Sequence, residues 1–141
     1  MSVSVVVDAS ALLALVLPDT KENKAYAIEL TYAAEAGRVQ LTVPQLAHHE
    51  IAAKLIRRVR DRTVSKSRVS DFMESITDIP IQTELDCRGV RELFQDAFNF
   101  GCGGYDAVYV RAAVDNSAML ATLDKKLTVH MANAGVQRWQ P

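Results

Sequence analysis

The sequence predicts an α/β fold in three layers, a sandwich with a central parallel sheet of about five strands. Three observations carry this. Short β-branched or apolar runs recur along the chain, and helical patterns separate them. The first run, Val3 to Val7, is almost purely β-branched rather than alternating with polar residues. A strand of that kind is buried on both faces, which places it in a parallel sheet between two helix layers.

The elements follow in order. Val3 to Val7 reads as the first strand and Ala9 to Leu17 as a helix that Pro18 stops. Glu22 to Ala36 is helical, with Gly37 placed to cap its end, and Val39 to Val43 is the second strand. Gln45 to Asp61 and Lys66 to Thr77 are helices, and Pro80 to Thr83 is the third strand. Cys87 to Phe100 is a helix capped by Gly101, followed by a helix from Tyr105 to Asn116. Ala118 to Thr122 is the fourth strand, Asp124 to Asn133 the last helix, and Val136 to Trp139 the fifth strand.

The chain of 141 residues has the length of one domain, 1–141, without repeats, linkers or low-complexity tracts. Apolar residues make up 49% of it, which argues against disorder, and the net charge of −1 indicates no strongly charged partner from bulk balance alone. No stretch reaches the roughly 18 apolar residues of a membrane helix, so no membrane role is expected. The start of the chain lacks a basic segment and Asp8 interrupts its apolar run, so a signal peptide is not expected. Cys87 and Cys102 have no metal-ligand spacing and read as reduced core residues, in keeping with a cytoplasmic setting.

In parallel sheets the functional crevice lies beyond the carboxyl ends of the strands. Asp8 ends the first strand directly, and Asp124 lies two residues past Thr122 on the fourth. Asp106 opens the helix before that strand, in line with Val110 and Ala113, and should point inward. Glu50 falls off the apolar face formed by Ile51, Ala52, Leu55, Ile56 and Val59, and is expected to face an open side with Lys54 and Arg57. Singly, each acid has a plain alternative: a helix cap, a favourable charge at a helix start, or a surface pair with Lys54. Together, carboxylates converging on one cleft repel one another unless a cation compensates. A hard, oxygen-seeking Mg²⁺ or Mn²⁺ suits such donors better than zinc.

VVVDASALLAL, HHEIAAKL, GYDAVYVRAA and LATLDKKL, in this order and spacing, resemble the PIN-domain ribonucleases, and most closely the VapC-like toxins of toxin–antitoxin pairs. The resemblance spans essentially the whole chain. It implies a sheet of order 3-2-1-4-5 and Mg²⁺- or Mn²⁺-dependent hydrolysis of RNA. By position it implies Asp8, Glu50, Asp106 and Asp124 as the catalytic acids, with Asp8, Asp106 and Asp124 on the metal side. Glu50 would ligate or orient the attacking water, and Ser10 and Thr122 would support the acids. It further implies a homodimer held in check by a cognate antitoxin. Ala53 departs from the family, where an Asn is common.

Beside that resemblance, Lys54 to Arg68 carries seven basic residues against the single acid Asp61. This run continues the Glu50 helix, and Lys54, Arg57 and Arg58 are the expected contacts to RNA phosphates. His48 and His49 lack the HExxH spacing and read as partly buried structural residues. The Lys66 to Thr77 helix, with Val69, Phe72, Met73 and Ile76 on one side, reads as core, the antitoxin groove being the other reading. A haloacid-dehalogenase-like phosphatase would want an acid where Ser10 stands, and a receiver domain would want one between Val43 and Gln45. A catalytically silent PIN scaffold that only binds a partner remains the alternative to an enzyme.

Overall fold

The computed structural model describes residues 2–141. Four strands, β1 (Val3–Val7), β2 (Val39–Pro44), β3 (Ile81–Glu84) and β4 (Met119–Ala121), form one sheet of order β3-β2-β1-β4. Every pairing is parallel, with Val5 opposite both Leu41 and Met119. Seven helices flank the sheet: α1 (Ala9–Leu13), α2 (Lys21–Glu35), α3 (Gln45–Arg60), α4 (Lys66–Asp78), α5 (Val90–Phe100), α6 (Gly104–Asp115) and α7 (Lys125–Asn133). Successive residues Val5, Val6 and Val7 point to opposite faces, and none is more than 1% exposed, so helices cover both sides of β1. Gly37 and Gly101 both adopt the left-handed conformation expected of residues that end helices.

The expected fifth strand is absent among the described residues. Val136 to Trp139 touches the sheet only through an isolated parallel bridge between Leu120 and Arg138. Tertiary contacts claim the segment instead. Trp139 meets Tyr26 edge to face at 5.4 Å, and the Tyr26 hydroxyl donates to the Trp139 carbonyl at 2.8 Å. Arg138 lies over the Tyr26 ring and donates to the Thr122 carbonyl at 2.9 Å.

The first helix also ends earlier than expected, at Leu13 rather than Leu17. Cations from distant elements take the carbonyls that its end leaves free: Lys24 those of Ala14 and Leu17, and Arg68 that of Val16. Arg68 is therefore partly structural rather than wholly part of a free basic stripe.

Cys87 and Cys102 are free thiols, but neither is buried, contrary to the core reading. Helix α5 begins at Val90, not Cys87, because Arg88 is drawn to Asp86 and to the buried Asp96. Arg111 of α6 meets the same Asp96 at 2.9 Å, which ties α5 and the exposed loop before it to α6.

The apolar face of α3 is narrower than the sequence suggests. Ala47, Ile51 and Leu55 are buried, whereas Ala52 is exposed and Ile56 keeps 47% of its surface. On α4 only Phe72 is buried. Val69 and Ile76 are half-buried and Met73 is exposed, so this helix covers the core with a single anchor.

Candidate active site

Asp8 leaves β1 into α1 and is 7% exposed, so its placement needs a reason. It occupies the N-cap position of α1, yet its carboxylate makes no capping hydrogen bond. The Ser10 hydroxyl donates to Oδ2 of Asp8 at 2.6 Å, and the fully buried Thr122 hydroxyl donates to the same oxygen at 2.8 Å. Those hydroxyls in turn accept the backbone N–H groups of Leu123 and Asp124, each at 3.0 Å. A chain of donors thus runs from the end of β4 into Asp8 and fixes its carboxylate. The pairing of β1 with β4 creates this arrangement, since it sets Val7 beside Ala121.

The other acids sit around it. Glu50, in the second turn of α3, is half-buried, and its Oε1 accepts the Tyr109 hydroxyl of α6 at 2.5 Å. It is therefore drawn into the cleft, not turned to an open side with Lys54. Asp106 lies half-buried in the first turn of α6. Asp124 is exposed and caps α7, its Oδ1 accepting from the N–H groups of Lys126 and Leu127. Capping thus accounts for Asp124 but not for Asp8.

The electrostatics tie the four together. Burial raises the pKa of Asp8, the Ser10 and Thr122 hydroxyls oppose that, and the charges of Asp124 and Asp106 raise it further. Glu50 is raised by burial, against the bond from Tyr109, and by the charges of Asp8 and Asp106. Asp106 is raised by burial and by Asp124, while His130 and Lys126 of α7 lower it. Asp8 and Glu50 feel Asp106 as a repelling charge, and Asp8 and Asp106 feel Asp124.

Among the described residues, no three Asp, Glu, His or Cys side chains close tightly enough to form a metal cage. An all-protein cage is not what Mg²⁺ requires. It retains several waters and is commonly held by one or two carboxylates. Oxygen donors within electrostatic reach of one another, one of them buried without a capping role, fit a hydrated hard cation; they do not fit zinc.

Three neighbours escaped the sequence reading. Tyr109 is 1% exposed, and its position three residues after Asp106 on one helix face was the available signal. Lys126 and His130 are four residues apart on α7, the spacing that puts both toward Asp106. His48 and His49 are both exposed, which corrects the partly buried reading. His48 lies one step beyond the narrow apolar face of α3 and meets the Thr83 hydroxyl on the edge strand at 2.8 Å. Lys54 and Arg57 are exposed on α3 and Arg58 is half-buried.

The chain is similar to known proteins in sequence and in fold. The chain is 29% identical over 126 residues to Ribonuclease VapC3 of Pyrobaculum aerophilum, covering 86% of this chain and 90% of that one. Its fold matches the crystal structure of PAE2754 from Pyrobaculum aerophilum with a TM-score of 0.67 at 23% identity. That match covers 93% of this chain and 81% of the other. No family model matches the chain. The chain is thus similar to a VapC ribonuclease along most of its sequence and shares the fold of PAE2754.

Proposed function

We propose that the protein is a Mg²⁺- or Mn²⁺-dependent endoribonuclease and the VapC-like toxin of a toxin–antitoxin pair. The observation that carries this reading is Asp8: a buried carboxylate at a strand end, held by two hydroxyls, capping nothing, and repelled by its acidic neighbours. The ribonuclease name of the Pyrobaculum relative supplies the substrate class.

A bound divalent cation would neutralise phosphate charge and make water easier to deprotonate. Asp8, Asp106 and Asp124 would hold that cation or its waters, with Ser10 and Thr122 fixing the plane of Asp8. Glu50 would orient the attacking water and accept its proton. The expected partners are the RNA substrate, a cognate antitoxin and a second copy of the chain in the cytoplasm. The apolar stripe Val90, Phe94 and Phe98 on α5 supports self-association, since these side chains are 84%, 68% and 73% exposed. No helix among the described residues is long and apolar enough to cross a membrane.

The test is direct. Purified protein should cut RNA with Mg²⁺ or Mn²⁺ and stop when EDTA is added. Cleavage that survives chelation, or no cleavage of structured or single-stranded RNA with either metal, counts against the reading.

The basic stripe carries its own prediction. Lys54, Arg57 and Arg58 lead away from Glu50 along α3, and their role is phosphate contact. Replacing both Arg57 and Arg58 with Ala should weaken RNA binding and lower the steepness of its salt dependence by about 2 in log–log slope, one per lost contact. The melting temperature should barely move. Unchanged affinity and slope would return these arginines to a solvated surface, where Asp61 already feels their charge.

A further inference from the structure

We infer that Tyr109 is the positioning residue for Glu50, its hydroxyl holding the carboxylate in the orientation from which it meets the attacking water. This rests on the reading of Glu50 given above and adds a residue to it.

A glutamate on a helix has three rotatable side-chain bonds, and a half-buried one without a partner would sample several rotamers. Here the Tyr109 hydroxyl donates to Oε1 at 2.5 Å, within the range of a charge-assisted O–H to carboxylate bond. The phenol is itself rigid, being 1% exposed and packed inside the core. One hydroxyl therefore connects two elements of the site. It links α3 through Glu50 to α6 one turn after Asp106.

A buried tyrosine needs an acceptor, and any backbone carbonyl would satisfy it. That this one takes a carboxylate of the site is what separates positioning from packing.

Tyr109→Phe removes the donor and keeps the ring. In the presence of Mn²⁺ it should lower kcat by roughly 10–100-fold, the cost of removing a group that orients a reacting one, with KM nearly unchanged. Melting in EDTA at pH 8 supplies a readout independent of activity. Tyr109→Phe and Glu50→Ala should each shift the melting temperature, and the double variant should fall short of the summed shifts, because one bond is lost twice. If wild type cuts RNA but Tyr109→Phe keeps wild-type kcat, the inference is overturned. Strictly additive melting shifts, or a Tyr109→Phe chain that fails to fold where Glu50→Ala folds, also overturn it, since the hydroxyl then serves only the core. If wild type cuts no RNA, the nuclease reading fails separately, and the melting cycle alone decides whether the two side chains are coupled.

Discussion

Asp106→Asn should reduce RNA cleavage by more than about 100-fold, beyond what losing a merely supporting group costs, while the metal-free protein melts no lower than wild type. The two effects have one cause. Without a cation the Asp106 charge is disfavoured by burial and by Asp124, and the opposing pull of His130 and Lys126 does not cancel them. An isosteric amide removes that charge and keeps the shape. Relief of strain stored at a functional site is worth ~0.5–2 kcal/mol in other proteins. Against it stands the favourable placement of a negative charge in the first turn of α6, worth roughly 0.3–1 kcal/mol. If Asp106 served only that helix start, the variant would melt lower and cleavage would persist. Cleavage rates together with melting curves in EDTA decide between these outcomes.

Metal-free stability should rise as the pH falls from 8 toward the ordinary carboxylate range, because carboxyls with raised pKa values take up protons in the folded chain before the unfolded chain does. The sign follows from the direction of the shifts. Asp8, Glu50 and Asp106 are all raised, chiefly by burial and further by neighbouring carboxylates. A raised carboxyl binds its proton more tightly in the folded chain than in the unfolded one. Its penalty is therefore fully present above the folded pKa and is relieved as pH falls through it. Asp86 and Asp96 behave oppositely, because hydrogen bonds from Arg88 and Arg111 lower them. Their contribution is present above the ordinary aspartate value and lost below it, so stability should turn down under about pH 4. Asp8→Asn, which removes the most buried of the three acids, should flatten that rise. Denaturant melts in EDTA across this range measure it. A wild-type chain whose stability is flat, or falls, over the whole descent to the ordinary carboxylate range would show that the acids do not burden the fold.

The sheet and the acids were legible in the sequence for the same reason: a β-branched run ending in a carboxylate is costly unless something uses the charge. Val3 to Val7 followed by Asp8 announced the strand and the carboxylate buried at its end, and the helical register of Asp106 over Val110 and Ala113 matches its half-buried place at the start of α6. What stayed hidden depended on contacts between distant elements. Nothing local says that Trp139 will pack on Tyr26 and leave Val136 to Trp139 as a single bridge. Nothing local says that Arg88 will reach Asp96 and hold Cys87 in an exposed loop. Glu50 was misdirected because α3 alone shows it beside Lys54, and only the approach of α6 brings Tyr109 to it. The narrower apolar face of α3 exposed His48 and His49 for the same kind of reason: neighbours, not periodicity, decide where a helical face ends.

The proposed cation site rests on Asp8 and Asp106. Calorimetric titration of Mn²⁺ into EDTA-stripped, desalted protein tests it without RNA, antitoxin or turnover. The expected result is saturable binding by wild type that weakens at least ~10-fold in both Asp8→Asn and Asp106→Asn, since each ligand lost costs at least as much as a group supporting one. Wild-type protein that binds no Mn²⁺ at millimolar concentration, or variants that bind it as wild type does, would contradict it.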